Sequence, residues 1–374
     1  MEKINIGIAI AIHTPTESFF ENGIRQNAIL LKETFEEIEF VDRVYFVNFG
    51  EQKDLSKSPW KEFEESIIDF SASLEKLQLL ATVCQFVSGD YAKAYKNRGI
   101  KLVRHTLGNQ FYIFTEQVLF READSTVIHK QAGYDSIWIS PHLYETNKDL
   151  FEALHETPAH VGPYVWSPRF LEHHVSSLEK EGKQADFSPR KGPQRVSVME
   201  PNINIVKSSI FPIVALEKFH AKHPELLDRA SIFCANGIKQ KKNFVQFAAS
   251  LNIHKDKKVS FESRYPVVST LARHTDILLA HQWECSMNYL YLDASWLGYP
   301  VVHNSEEMQE FGWYYPRFDG EAAVEALSQA AQHFDGDADR ASAYRAQMRE
   351  RAQKYLPKHE RNVEGYKKLI EKLF

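Results

Sequence analysis

The chain has 374 residues, a formal net charge of −5 at pH 7 and a sequence pI of about 6.4. Hydrophobic residues make up 43% and charged residues 25%, a composition that excludes a wholly disordered or fibrous protein. The length exceeds one ordinary core and predicts two domains of roughly 150 to 200 residues each. The negative net charge gives the chain no overall attraction for nucleic acid or for an anionic membrane.

Cysteine usage and hydropathy indicate a reduced, cytoplasmic protein. The three cysteines, Cys84, Cys234 and Cys285, form no CxxC pair, which argues against a zinc ribbon or a disulfide framework. No apolar run approaches the roughly 18 to 20 residues that span a bilayer. The apolar segment Ile4–Ile12 is short and lacks a cleavage site, so we interpret it as a buried first strand rather than a signal peptide.

The first half of the chain alternates strand-like and helix-like segments. After the first strand, Gln26–Ile38 has apolar residues at helical spacing. Such alternation predicts a mostly parallel sheet with helices on both faces. In chain order, further strands are predicted at Val41–Phe49, Leu77–Val87, Ile100–Leu107, Ser136–Ile139 and His160–Trp166, with a helix at 91–97.

A polar, charged stretch, His173–Gly192, predicts a linker between two domains. The alternative is a surface helix followed by a loop inside one domain. A second series of alternating elements follows the stretch. Strands are predicted at Arg195–Met199, Arg229–Ala235, Val259–Glu262, Asp276–His281 and Pro300–His303, and helices at Ile205–Phe219, Lys242–Leu251, Pro266–His274, Asn288–Leu297, Gly320–Gln332 and across 335–374.

The segment 276–304 carries the most specific pattern. A strand leads into a polar loop, and a helix is expected to begin near Ser286 to Asn288 with free backbone amides that favour a phosphate. Glu284 precedes that helix and Asp293 lies nine residues further on. The turn at Gly298 then leads into the strand VVH.

This segment resembles the nucleotide-sugar half of GT-B glycosyltransferases. The family pattern is Glu, seven residues, Glu, and then Gly-x-Pro-Val-Val. Asp293 stands where the second Glu would be, and Glu284 lies one residue upstream of the first, so the spacing departs from the family. The chain is also similar to a group of bacterial GT-B-type proteins through the segments His281–Asn304, Glu200–Lys207 and Pro163–Pro168.

The resemblance implies an α/β protein of GT-B fold, with two tandem Rossmann-like domains whose parallel sheets face an interdomain cleft. Residues 1–170 would form the acceptor-side domain, 190–350 the donor-side domain, and 351–374 a helix that returns to the first domain. The implied activity is transfer of a sugar from a nucleoside diphosphate sugar to a hydroxyl of a surface glycan such as capsule or lipopolysaccharide. The charged helix at 340–359 is either a solvated face or a peripheral contact with the inner face of the membrane.

Transferred to this sequence, the resemblance assigns donor-binding residues at the carboxyl ends of strands in the second half. The ribose would be bound by Glu284, and the diphosphate by Lys207 and the amides of Ser286, Met287 and Asn288. Glu200 and Asn204 are also polar in the loop that holds Lys207. Further donor-side candidates are Asn202, Asn236, Lys239, Arg264, His281 and Asp293. For several of these a helix cap, a surface charge or a core histidine is the alternative.

Candidates for a general base lie after the first strand. An acceptor hydroxyl needs a base if the reaction inverts the anomeric carbon. His13, Glu17 and Glu21 are the candidates, with exposed loop charge as the alternative for the two glutamates. Candidate cleft or acceptor residues are Gly23, Arg25, Asn27, His105 and Asn109, and a structural histidine is the alternative for His105.

No metal or other cofactor is expected. The sequence has no HExxH pattern and no G-x-x-x-x-G-K-[ST] phosphate loop, and no G-x-G-x-x-G follows the first strand. Three other functions stay open. They are a nucleotide-sugar epimerase or hydrolase of the same fold, a transferase acting on modified DNA bases or on protein, and a binding protein without turnover.

Overall fold

The computed structural model describes residues 2–20, 22–83, 85–87, 89–120, 130 and 133–374. They form two compact units. Unit 1 comprises Met1–Phe114, Arg121–Phe170 and Lys354–Phe374, and unit 2 comprises Thr115–Phe120 and Leu171–Gln353. Each unit is built around one parallel sheet.

The sheet of unit 1 has seven strands in the order β3-β2-β1-β4-β5-β6-β7, and all pairings are parallel. Six of the seven residues of the first strand are buried, as expected for a central strand covered on both faces. The strands are β1 Ile4–Ile10, β2 Val41–Asn48, β3 Ile67–Ile68, β4 Leu79–Thr82, β5 Lys101–Thr106, β6 Ser136–Ile139 and β7 Ala159–Val161. The helices are α1 Gly23–Phe35, α2 Phe70–Lys76, α3 Gly89–Asn97, α4 Gln110–Phe120 (its last six residues in unit 2), α5 Tyr144–His155 and the beginning of α6 Arg169–Glu179.

The last helix of the chain, α14 Glu360–Glu371, belongs to unit 1. Tyr366 is fully buried and its ring lies 5.4 Å from that of Phe35 on α1. Its hydroxyl donates to the Pro163 carbonyl at 2.8 Å, and His105 on β5 lies 2.8 Å from the same oxygen. The end of the chain is therefore part of the core of unit 1.

The sheet of unit 2 has six parallel strands in the order β10-β9-β8-β11-β12-β13. Helices α7 and α12 pack together on one face and share a core with Val196, Ile232 and Leu279. The strands are β8 Gln194–Val198, β9 Leu227–Ile232, β10 Val259–Phe261, β11 Ile277–Leu279, β12 Val301–His303 and β13 Trp313–Tyr314. The helices are α7 Ile210–Lys222, α8 Lys242–Ser250, α9 Asn252–Lys255, α10 Val267–His274, α11 Tyr289–Trp296, α12 Gly320–His333 and α13 Ala338–Ala352.

The structure differs from the sequence expectations in two ways. Some elements were not predicted, among them α2, α4, α5, β3 and β13, and others begin or end at different residues. The first seven residues of the predicted linker are helical, because α6 continues to Glu179. The helix predicted from Ile205 begins at Ile210, and the strand predicted to reach Val87 ends at Thr82. None of the helices within the described residues is long and apolar enough to cross a bilayer.

Candidate functional site

The order of the second sheet places its topological switch point between β8 and β11. Chain connections leave these neighbouring strands in opposite directions, so the loops after them flank a crevice where ligands bind in such sheets. The loop after β8 spans 199–209 and the loop after β11 spans 280–288. The backbone amide of Trp283 donates to the Val206 carbonyl at 2.9 Å, which joins the two loops.

A buried carboxyl lies at this switch point. Glu200 is only 1% exposed. Its two oxygens accept hydrogen bonds from the His281 backbone amide at 3.1 Å and from Gln282 Nε2 at 2.7 Å. Burial raises the pKa of Glu200 to about 7, against the smaller lowering effects of these hydrogen bonds and of the Lys207 charge.

The protonation of the neighbouring histidine follows from its hydrogen bonds. The Tyr315 hydroxyl donates to the Ala280 carbonyl at 2.8 Å, so its oxygen accepts from His281 Nδ1 at 3.1 Å. His281 therefore carries its proton on Nδ1, and its Nε2 is unprotonated and can accept a hydrogen bond. Burial lowers the pKa of His281 to about 4, which keeps the ring neutral. Its ring packs against Phe211 and Phe318, at centroid distances of 4.3 and 4.5 Å.

Two consecutive residues thus carry buried acceptor atoms. His281 Nε2 and Gln282 Oε1 have no hydrogen-bond partner among the described residues. Asn304 fixes the backbone between them, donating to the Gln282 carbonyl at 2.8 Å and accepting from the Gln282 amide at 3.0 Å. Buried polar atoms without partners are rare, and both of these atoms can accept a hydrogen bond from a ligand.

The loop after β8 is shaped by Asn202. This residue has a positive φ of 55°, and its side-chain oxygen accepts from the amide and the hydroxyl of Ser209, both at 2.8 Å. The loop presents Lys207, which is half-buried and has no side-chain hydrogen bond or ion pair within the described ranges. The structure therefore brings Asn202, Lys207 and His281 together around Glu200.

The other residues predicted to bind the diphosphate and ribose lie further along the loop after β11. Helix α11 begins at Tyr289, and Asn288 is its cap, accepting from the Leu290 amide at 3.1 Å. The Ser286 hydroxyl bonds to Glu307, and Met287 is buried. Glu284 is exposed, with a φ of 51°, and Asp293 is half-buried in the middle of α11.

Three more predicted donor residues follow the outer strands. Asn236 and Lys239 lie after β9, where Asn236 is exposed and accepts from the Ser263 hydroxyl at 3.2 Å. Arg264 lies after β10 and is exposed. These residues border the same end of the sheet as Glu200, and no side-chain contact joins them to it among the described residues.

Unit 1 carries a histidine–carboxylate pair at the carboxyl end of β1. His13 Nδ1 lies 2.7 Å from Glu51 Oε2, and both side chains are exposed. The hydrogen bond to His13 lowers the pKa of Glu51. His13 and Arg25 also line a cavity of about 160 Å³ together with Ile10, Ala11, Asn22, Ile24, Trp60 and Gln85.

The other candidate bases differ from His13. The Glu17 side chain is 9% exposed, is paired with Arg25, and accepts from the His13 amide at 2.6 Å. Its carboxylate thus shapes the loop that holds His13. Glu21 lies outside the described residues. Gly23 is the first residue of α1, and Asn27 is buried in the same helix.

The predicted acceptor residues His105 and Asn109 are buried inside unit 1. The Tyr366 hydroxyl donates to Pro163, so its oxygen accepts from His105 Nε2, and burial lowers the pKa of His105 to about 3. Asn109 donates to Thr146 at 3.0 Å and accepts from Asn147 at 3.2 Å. Both side chains have structural partners here.

Sequence reasoning did not assign Gln282 and Glu51 to the site, and noted Glu200 only as a polar loop residue. The only sequence signal was their place after strands, because neither burial nor partners can be read from the sequence. Among the described residues, no group of three or more His, Cys, Asp or Glu side chains is arranged to hold a metal ion.

Solved structures with a similar fold include several glycosyltransferases. Anabaena Alr3699/HepE in complex with UDP-glucose has a TM-score of 0.54 and 14% identity, covering 98% of this chain and 100% of that one. A mutant Thermobaculum terrenum O-GlcNAc transferase has a TM-score of 0.57 and 10% identity, covering 100% of this chain and 68% of that one. A Rickettsia africae glycosyltransferase has a TM-score of 0.55 and 11% identity, covering 100% and 99%.

These similarities, with the two parallel sheets, confirm the predicted GT-B fold. No curated protein sequence matches the chain. A family described as "Protein of unknown function (DUF2827)" matches residues 6–370.

Proposed function

We propose that this chain, which belongs to the DUF2827 family of proteins of unknown function, transfers a sugar from a nucleoside diphosphate sugar to a hydroxyl group. Unit 2 binds the donor and unit 1 supplies the base. The acceptor is a bacterial surface glycan, the class that the sequence resemblance implies. The fold supports the reaction class, since the similar structures include Anabaena HepE with bound UDP-glucose.

The observation that carries the proposal is the pair of buried hydrogen-bond acceptor atoms at the switch point, His281 Nε2 and Gln282 Oε1. A diphosphate that is fully ionised offers only acceptors and cannot satisfy them. Sugar and ribose hydroxyls donate hydrogen bonds and can satisfy both atoms. The rings of Phe211 and Phe318 beside His281 add apolar surface of the kind that lines ligand sites.

The diphosphate has a different partner in this proposal. Lys207 is half-buried, and its ammonium group has no hydrogen bond or ion pair in the described part of the chain. A positive charge there stabilises the negative charge that develops on the departing nucleoside diphosphate. Ser286 and Glu284 follow on the second loop and complete the donor side.

The chemistry on unit 1 needs a group that takes a proton. We assign this step to His13, whose Nδ1 is held by Glu51. His13 Nε2 removes the hydroxyl proton of the acceptor as that oxygen bonds to the anomeric carbon. The bond from that carbon to the diphosphate oxygen breaks, and the electron pair leaves with the nucleoside diphosphate. A single displacement of this kind inverts the anomeric centre.

Donor binding is the direct test. Calorimetric titration with UDP, GDP, CMP, dTDP and the glucose conjugates of UDP, GDP and dTDP is expected to reveal one preferred nucleotide. Lys207→Gln should weaken its binding by roughly 10-fold or more, because a charge-assisted contact is lost. Lys242→Gln, at an exposed position of α8, is the matched control and should bind as the wild type does.

The role of the two buried hydrogen-bond acceptor atoms is tested by His281→Phe, which keeps the aromatic packing and removes Nε2. Weaker binding of the sugar conjugate alone assigns His281 to the transferred sugar, and equal loss for the free nucleotide assigns it to the ribose. Unchanged binding of every nucleotide, or no binding by the folded wild type, contradicts the proposal. Donor turnover without any acceptor contradicts the transferase in favour of a hydrolase or an epimerase.

A further inference from the structure

Unit 2 contains a second concave surface, a groove of about 730 Å³ along β9, β10 and α10. Residues on β9 alternate between the two faces of the sheet. Ala230 and Ile232 point into the core beneath α7 and α8, whereas Arg229 and Ser231 line the groove on the opposite face. That face carries the short helix α10, of eight residues. The groove is therefore distinct from the core and from the Glu200 network.

The groove is strongly basic, in contrast to the acidic chain as a whole. Its lining contains one acid, Glu262, and the cations Arg229, Lys257, Lys258 and Arg273. Lys258 donates to the carbonyls of residues 227 and 228, at 3.2 and 3.0 Å, and Arg273 pairs with Glu181 at 3.1 Å. Arg229 and Lys257 are exposed and have no side-chain partner in the described ranges.

The electrostatic environment of His274 reflects this charge. Burial, followed by the positive charges of Arg229, Arg195 and Arg273, lowers the pKa of His274. The histidine is therefore neutral near pH 7, and the positive charge of the groove comes from the arginines and lysines. Such a surface attracts anions.

The remaining lining suits a sugar chain. Ser260 and Ser269 line the groove and are half-buried, whereas Ser231 and Thr270 are buried beneath them and the Thr270 hydroxyl donates to the Pro266 carbonyl at 2.9 Å. Tyr265 lies at its edge with 52% of its surface exposed. Hydroxyls exchange hydrogen bonds with sugar hydroxyls, and an exposed aromatic ring offers a flat apolar surface to the face of a pyranose.

We propose that this groove binds an acidic oligosaccharide, with its carboxylates at Arg229 and Lys257 and a sugar ring against Tyr265. The volume is in the range of roughly 300 to 1,000 Å³ that encloses small ligands, so a few sugar rings fit. The site goes beyond the proposed transfer and does not depend on it. A small inorganic anion satisfies the charges but leaves the ring of Tyr265 unused.

The test uses tetragalacturonate as the acidic probe, and maltotetraose and tripolyphosphate for comparison. Calorimetry on the full chain should show tetragalacturonate binding that weakens as salt is raised, with maltotetraose at least about 10-fold weaker. Arg229→Gln combined with Lys257→Asn should weaken the binding of tetragalacturonate by about 10-fold or more. Asn is chosen because residue 257 has a φ of 58°, which Asn tolerates. Tyr265→Ala should weaken tetragalacturonate and leave tripolyphosphate unchanged.

Lys255→Gln, at an exposed position outside the groove, is the matched control and should bind tetragalacturonate normally. Circular dichroism verifies that each variant is folded. The proposal is overturned if tetragalacturonate does not bind at millimolar concentration, if maltotetraose binds equally well, or if Tyr265→Ala has no effect. Titration of the Arg229→Gln, Lys257→Asn double variant with nucleotides distinguishes the groove from the donor site. The nucleotide affinity of this variant should equal that of the wild type, whether or not the groove binds tetragalacturonate.

Discussion

Glu200 Oε2 lies 2.7 Å from Gln282 Nε2, so that a buried carboxyl and a buried amide connect the loops after β8 and β11. This contact determines which side-chain atom of Gln282 remains available to a ligand. While Glu200 is ionised, Nε2 faces it and Oε1 stays free to accept a hydrogen bond from a ligand. The protonation of a buried carboxyl is thus linked to the hydrogen-bonding character of the candidate donor site.

Glu200→Gln should change how stability depends on pH. Burial raises the pKa of Glu200 from 4.5 to about 7. Between these values the unfolded chain loses its proton while the folded protein keeps it, so stability falls as pH rises, and the loss is complete above about pH 7. The variant lacks this loss, and between pH 5 and pH 8 its stability relative to wild type should rise by on the order of 2–3 kcal/mol.

Urea unfolding followed by tryptophan fluorescence at the two pH values measures this difference. Glu350→Gln, on the exposed side of α13, is the control and should show a constant difference from wild type. A stability difference for Glu200→Gln that stays the same at both pH values would show that the carboxyl is ionised throughout this range.

His13→Gln should reduce transfer by roughly 10² to 10⁴-fold, the usual contribution of a general base, and should leave donor affinity unchanged. Glu51→Gln should cause a smaller loss, because it weakens the contact that orients His13 but leaves the imidazole in place. The measurement is single-turnover transfer with saturating donor, using the nucleotide sugar that the titrations select. Full activity in His13→Gln would exclude this residue as the base.

Tyr366→Phe should destabilise unit 1. The hydroxyl donates to Pro163 and accepts from His105, so its removal leaves two buried groups unpaired, each at about 1–3 kcal/mol. Denaturant unfolding measures the loss. Tyr91→Phe is the matched control, since Tyr91 is half exposed and its hydroxyl makes no described hydrogen bond. Equal stability of the two variants would mean that the buried groups find other partners.

Gly298→Ala should destabilise unit 2, whereas Gly237→Ala should not. Gly298 has a φ of 85°, and a Cβ there would lie 2.9 Å from the Cβ of Arg345. Left-handed backbone alone costs about 1–2 kcal/mol for a residue with a Cβ, and the close contact adds to it. A Cβ on Gly237 meets no atom within 4 Å. A difference in melting temperature between the variants checks the prediction.

The alternation of apolar strands and amphipathic helices was sufficient to predict two domains with parallel sheets, because a buried parallel strand carries an apolar run that a sequence shows directly. The GT-B fold itself was implied by the resemblance of segment 276–304. Some elements were missed. Helix α4 has no single apolar face, because Gln110 and Glu116 lie on different sides of it, and β3 and β13 have two residues each. Helix α5 was missed although it buries one face. The late start of α7 depends on Asn202, whose bonds to Ser209 hold the preceding loop in a non-helical path.

The site was harder to predict than the fold. A polar residue after a strand can point to solvent, to a ligand or to another part of the protein. Glu17 and Asn109 share that position with Lys207, yet Glu17 pairs with Arg25 and Asn109 joins α4 to α5. Gln282 has no distinguishing sequence signal, because its importance comes from a contact with a residue 82 positions earlier.

The packing of α14 into unit 1 has a consequence for folding during synthesis. The ribosome delivers residues 1–170 first, but the core they form is completed by Tyr366, Leu369 and Ile370. The apolar surface of α1 around Phe35 stays uncovered until the sequence of unit 2 has been made. A nascent chain therefore exposes the apolar surface of α1 until α14 has been synthesised, and exposed apolar surface of this kind favours aggregation of partly folded chains.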